Sequence, residues 1–448
     1  FLTVRQSGIQ VLQIGNWPAP YGITFVADLF SAIMLVMSGI IGFVITMYSI
    51  ESMDRIRQRF TYFPLMNALL MGVNGAFLTG DVFNLYVWFE VMILASFVLL
   101  TIGGSRRQMD GAIKYVTMNL IASLIFLAGI GLLYGKAGTL NMADLAVKLT
   151  DTGESILINS SAMLFFVAFG IKAAVFPFFF WLPASYHTPP VVITALFSGL
   201  LTKVGIYAMI RFFTLFFVQN QDFWHPLLLV VGGLTMVVGV LTAASQYDMR
   251  RILSFHIISQ IGFMVMGLGL FTVMGVAGAI FYIAHNIIAK TNTFLVSGLV
   301  NRIRGTYDLR ALGGLYKSYP FLAILFVIPA MGLAGVPPLS GFIGKLMLIV
   351  AGFESQKFFI TAVAILVGLI TLFSMIKIWN EAFWKKQETI PDEKPQRLPF
   401  GMVFPVALLA LLTIVLGIAA ESFVEISKHA AEQLLHPHDY INAVLNRR

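Results

Sequence analysis

Apolar residues in this chain come in blocks of about 20, separated by short polar stretches, rather than alternating with polar ones. A helical block of that length spans the ~30 Å of hydrocarbon in a bilayer. Helix is also a form that satisfies its own backbone there. The blocks predict about twelve crossings, at roughly 23–50, 61–79, 81–103, 111–134, 157–181, 190–217, 225–246, 250–270, 272–300, 319–353, 357–384 and 399–419. The fold class is therefore all-α, polytopic and membrane-embedded. Two blocks are interrupted, the first at Phe176-Pro177 and Trp181-Leu182-Pro183, the second at Pro337-Pro338. Irregular backbone at membrane depth is tolerated only inside protein or beside water, so both breaks are expected to face inward.

The polar stretches carry the orientation. Arg55, Arg57 and Arg59 follow the first block, Arg106 and Arg107 the third, and Arg250 and Arg251 the seventh. Arg302, Arg304, Arg310 and Lys317 follow the ninth, and Lys385, Lys386, Lys394 and Arg397 the eleventh. The opposite connections, such as Gly135–Ser155 and Gln219–His225, are not basic. With one crossing per block, every basic stretch falls on one side, which the positive-inside rule makes cytoplasmic. Phe1 and the carboxyl terminus then both lie outside. Two Pro-interrupted crossings at corresponding places of two halves point to an inverted repeat with an ion site between them. The division is 1–60, an N-terminal segment and first helix; 61–217, the first repeat; 218–384, the second repeat; and 385–448, the last helix and a polar segment. Glu421–Arg448 is partly amphipathic and suits a membrane surface or a partner. Phe1–Gly15 is too polar and short for a complete span or a signal peptide, so further residues are expected to precede it.

Composition agrees. The chain has 448 residues, of which 58% are hydrophobic and 11% charged, against about a quarter charged in soluble domains. Its mean hydropathy is +0.87. With no Cys, it supplies no disulfide, thiolate metal site or iron–sulfur ligand. The net charge of +8 is accounted for by the basic connections and does not indicate nucleic acid.

Against this background the charges inside the blocks stand out, because an ionisable group at bilayer depth is costly and marks a functional site. Glu90 lies within VFNLYVWFEVMILASFVLL. Lys172 precedes the first break, and Lys203 sits near the middle of the next block with no route to either surface. Lys345 follows PPLSG at the second break. His256 (LSFHIISQIGF), with His285 and Lys290 (FYIAHNIIAKTNTF), lies on two consecutive crossings. A glutamate and lysine that approach and separate make a proton switch, since a carboxylate beside an amine holds the amine's proton and its withdrawal releases it. The bland readings are a hydrogen-bonded carboxyl at an interface for Glu90, a static ion pair for Glu90 and Lys172, a structural Lys203, a Lys345 reaching the interface, and satisfied core histidines. Ser254, Ser259, Gln260, Asn286, Thr291 and Asn292 have the chemistry to hold water. Asp81 reads as a helix N-cap, and Arg211 and Lys377 as snorkelling residues near helix ends.

At these residues the chain resembles the antiporter-like membrane subunits shared by Mrp-type multisubunit sodium/proton antiporters and respiratory complex I. The likeness rests on FEVM at Glu90, FGIKAAVFPFFFWLP at Lys172, GLLTKVGIYA at Lys203, IAHNIIAK at His285–Lys290 and AGVPPLSGFIGK ending at Lys345. GNWPAPYGITFVADLF, NGAFLTGDVFNLYVWFEVM and GTLNMADLA resemble the MrpD type within the Mrp antiporters. The resemblance implies a fourteen-helix fold with two inverted five-helix repeats and two broken helices, of which about twelve helices are visible here. It also implies that the first helix and most of the second are absent from this numbering. By position it implies a proton path through Glu90, Lys172, Lys203, His285, Lys290 and Lys345. Two departures matter: Ala184-Ser185-Tyr186-His187 replaces the acid and histidine usual in complex I relatives, and Thr291-Asn292-Thr293 replaces small apolar residues.

The expected function is proton translocation in a multisubunit monovalent cation (sodium)/proton antiporter, a secondary transporter subunit and not an enzyme. Its partners would be other subunits of a heteromeric membrane complex, the lipid bilayer, protons and sodium. Its location would be a bacterial cell membrane, and it would need no cofactor. The alternative is a proton-pumping subunit of a complex I-like quinone oxidoreductase, distinguished by copurifying redox subunits. A haem protein using His256 and His285, or an inert scaffold, are the readings from other classes.

Overall fold

The computed structural model describes residues 1–153, 155–386 and 397–445, so Lys394 lies outside the described residues. Ten helices among them are long and apolar enough to cross a bilayer. Tyr62–Leu78 and the broken pair Pro320–Ala334 and Ser340–Glu354 complete the twelve predicted crossings. The other break separates Ile156–Ala173 from the short Trp181–Tyr186 helix. Local rules set the ends. Asp28, Asp81, Ser105, Asp248 and Thr272 each accept a backbone N–H in the first turn of the helix that follows. These bonds satisfy donors that a helix start leaves free.

The core is deepest around two consecutive helices. Met249–Leu270 and Val273–Arg304 are buried over nearly their whole length, whereas Val82–Thr101, Arg106–Ala137 and Phe400–Ile418 keep one apolar face exposed. The connections gather at two ends. At one, Arg107, Lys114, Arg251 and Arg310 line a cavity of about 650 Å³ with Asp110, Asp248, Asp308 and His187. Burial, together with Arg251 and Arg250, holds the His187 ring below the usual histidine range despite its bond to the Pro183 carbonyl. At the other end a hairpin of Gln10–Gln13 and Thr24–Ala27 extends towards Thr79, and Asp81 bridges to Asn141. Both described termini lie there, as an even number of crossings requires.

One expectation is overturned. Arg211 does not snorkel: it is buried and pairs with Asp28 at 2.5 Å. The charge came from a helix 183 residues away, so it gave no local signal. The described part of Glu421–Arg448 packs on the bundle itself as Ala420–Leu435 and His438–Leu445, whose inner faces bury Ile426, Leu434 and Tyr440. Lys377 is half-buried and donates to the Ala244 and Gln246 carbonyls, closing the carboxyl end of Gln221–Ser245.

Candidate functional site

The two Pro breaks set the site. In the first, Ile156–Ala173 ends with Ala174 in the left-handed region, and the Ile171 carbonyl accepts both the Ala174 N–H at 3.1 Å and the Trp181 indole at 2.9 Å. Lys172 therefore sits in the last turn of a half-helix, 6% exposed, with its Nζ 4.7 Å from the Phe89 ring centre. Glu90 is the next residue on that neighbouring helix. It lies within electrostatic range of Lys172, yet among the described residues Glu90 Oε1 and Lys172 Nζ have no hydrogen-bond partner. The two are within electrostatic range but form no salt bridge in this structure. A cavity of about 20 Å³ lies beside it, lined by Phe89, Met92, Tyr115, Asn119, Lys172 and Leu201. That is room for about one water.

Leu201 leads to the next lysine. The crossing Val191–Leu215 widens into a π turn at Phe197–Leu201, which loosens the regular backbone ladder. Lys203 follows it, fully buried, and its Nζ donates to the Ser198 carbonyl at 2.5 Å. Gly205 allows this helix to reach the end of the Lys172 helix, since a Cβ there would stand 2.8 Å from the Ala173 nitrogen. On the far side, Thr291 Oγ1 donates to the Ala195 carbonyl at 3.4 Å, just before the π turn. The departure at Thr291 thus ties the Lys203 helix to the Lys290 helix.

Val273–Arg304 carries His285 and Lys290, both buried. Lys290 lies in electrostatic range of Lys203 and Lys345, and its Nζ reaches the Leu253 carbonyl at 3.5 Å. His285 Nδ1 meets Ser340 Oγ at 2.8 Å, at the first turn after the second break. Lys345 lies one turn further on, 5% exposed, donating to the carbonyls of Leu333 and Ala334 at 2.8 and 3.0 Å. Here the ammonium itself closes the carboxyl end of a half-helix, where the orphan carbonyls and the helix dipole favour a cation.

Between these groups lie buried polar atoms with no partner among the described residues: both ring nitrogens of His256, Thr202 Oγ1, Ser259 Oγ and the side-chain amides of Asn286 and Asn292. His256 faces Lys290 and Lys345 electrostatically. Tyr282 donates to the Gln260 side chain. Such atoms are rare in folded proteins unless water or a moving ion serves them. Of the six expected site residues, Lys172, Lys203, His285, Lys290 and Lys345 are buried and Glu90 is half-buried; sequence reasoning missed Tyr207, Arg211 and Asp28, which form a separate buried group. Asp28 had a visible signal only as the last polar residue before an apolar block.

Comparison with known proteins bears on the same residues. Residues 79–371 match the family model described as NADH:quinone oxidoreductase/Mrp antiporter, TM. The chain is 49% identical over 442 residues to the D subunit of the Na(+)/H(+) antiporter of Alkalihalophilus pseudofirmus, covering 99% of this chain and 90% of that protein. It is 40% identical over 444 residues to the protein of the same name in Bacillus subtilis, with the same two coverages. Among solved structures, a chain of the Mrp complex from Dietzia sp. DQ12-45-1b superposes with a TM-score of 0.91 at 34% identity, covering 98% of this chain and 89% of that one.

Proposed function

The chain belongs to the NADH:quinone oxidoreductase/Mrp antiporter membrane family, and from that premise we propose that it translocates protons as a subunit of a multisubunit sodium/proton antiporter. It is a multi-pass transporter subunit of a bacterial cell membrane and works assembled with other membrane subunits. The relay runs from Glu90 and Lys172 through Lys203 to Lys290, His285 and Lys345, across the interface between repeats 61–217 and 218–384.

The observation that carries this reading is the open Glu90–Lys172 pair at the head of a buried series of amines. Each later member is tied to the next by a helix contact or by electrostatic range. An amine far from water and near one other charge changes its protonation when that charge moves. When Glu90 approaches Lys172, the lysine keeps its proton. When it withdraws, the proton passes across the small cavity at Leu201 towards Lys203. Lys203 and Lys290 repel each other when both are charged, so a proton arriving at one drives the other's onward. Proton flow down its gradient then drives sodium outward in the assembled complex.

Glu90→Ala, Lys172→Ala and Lys203→Ala, each in the assembled complex in inside-out vesicles, should abolish the sodium-dependent change in ΔpH while assembly persists. Retained exchange in all three overturns the relay.

A further inference from the structure

Beyond Lys203, towards the end that holds both termini, the same helix carries a second buried polar group that the relay does not use. Tyr207 and Arg211 follow Lys203 at i+4 and i+8, so the three share one face of the helix. Arg211 Nη1 donates to Asp28 Oδ2 at 2.5 Å, and its Nη2 donates to the Tyr207 hydroxyl at 3.0 Å. Tyr207 in turn donates to the Phe77 carbonyl at 2.7 Å. The Tyr440 ring, from the C-terminal helix His438–Leu445, lies 5.3 Å from the guanidinium. The preceding helix is fastened beside it, with Gln433 accepting the Leu29 backbone N–H at 3.2 Å.

A guanidinium with its fork satisfied does not give up its proton, so Arg211 cannot pass one along. It presents a fixed positive charge between Lys203 and the outer end of the helix. Asp28 is equally fixed, since it also caps the first turn of Leu29–Ser52 through the Ser31 N–H. Arginines placed in this way exclude protons and cations from membrane passages.

We propose that Arg211, held by Asp28 and roofed by Tyr440, is the outer seal of the relay, closing Lys203 off from external water. This rests on the relay reading. It also gives the C-terminal helices a task, as the roof that keeps the guanidinium dry.

The chain has no cysteine, so Ile206→Cys, buried one turn from Lys203 on the helix face that leads to Arg211, is its single thiol. In right-side-out vesicles holding the assembled complex, a membrane-impermeant methanethiosulfonate should leave that thiol unlabelled. Adding Asp28→Asn or Arg211→Gln should make labelling several-fold faster and speed the passive decay of an imposed ΔpH without sodium. Arg211→Lys, which keeps the charge, should stay near the parent. Asp28→Asn is isosteric and decides the matter where Arg211→Gln does not assemble. Labelling and ΔpH decay as slow as the parent's in the assembled variants overturn the seal. Thiol access needs no proton to pass Lys203, so this outcome is separate from failure of the relay, which the alanine variants report.

Discussion

Lys345 is placed to do two jobs, and three substitutions separate them. Its Nζ holds the last two carbonyls of Pro320–Ala334, at Leu333 and Ala334, across a break that Gly335 turns with φ of 90°. A Cβ at Gly335 would stand 2.9 Å from Lys345 Cδ, so the turn and the lysine stem are fitted to each other. Lys345→Met keeps the stem and removes the donors. Lys345→Gln removes the charge as well but keeps an amide able to reach one carbonyl. The lost charge is common to both, so its desolvation cancels in their difference. What remains is a buried acceptor left unpaired, about 1–3 kcal/mol. Opening of the break is read by hydrogen exchange at the Gly335 and Val336 amides, which bond to the Met331 carbonyl at 3.0 Å. They should exchange roughly 5- to 150-fold faster in the Met variant than in the Gln variant. Lys345→Arg keeps the charge and donors but holds its proton permanently, so the break stays protected while sodium-dependent proton exchange is lost. Equal protection in the Met and Gln variants would refute the capping role, and parental exchange by the Arg variant would refute the relay role.

At the first break Trp181→Phe removes the indole bond to an Ile171 carbonyl that keeps the Ala174 N–H, and its cost of about 0.5–1.5 kcal/mol should appear as faster hydrogen exchange around residues 174–176. Gly205→Val forces the Lys203 and Lys172 helices apart, since even a Cβ would meet Ala173 at 2.8 Å; thermal stability should fall by about 1–3 kcal/mol and exchange in vesicles should fall with it. The Asp28–Arg211 pair has a defined pH response. Burial pushes the Asp28 carboxyl up, but Arg211 and the Ser31 bonds bring it net below the usual 3.8. Its stabilisation is therefore complete above the unfolded value and fades as pH falls through the lower folded one. The stability gap between the parent and Asp28→Asn should hold from about pH 7 to about pH 5 and narrow only below about pH 4, as followed by thermal unfolding of the complex.

Much of this protein is determined by the sequence alone, because the solvent imposes it. Hydrocarbon thickness fixes the length of a crossing, so the apolar blocks predict all twelve, including the two that Pro residues divide. The cost of an ammonium in lipid means that Lys172, Lys203, Lys290 and Lys345 can only face inward, and each is buried. Which buried charge meets which was decided by tertiary structure. Arg211 and Lys203 sit on one helix in similar apolar surroundings, yet one is paired with a carboxylate and the other holds only a backbone carbonyl. Lys172 and Lys345 both flank a Pro break, yet an indole closes the first half-helix and the lysine itself closes the second. Such partners come from helices far apart in the chain, and only close packing brings a donor within 3 Å of an acceptor that the one-dimensional pattern leaves unassigned.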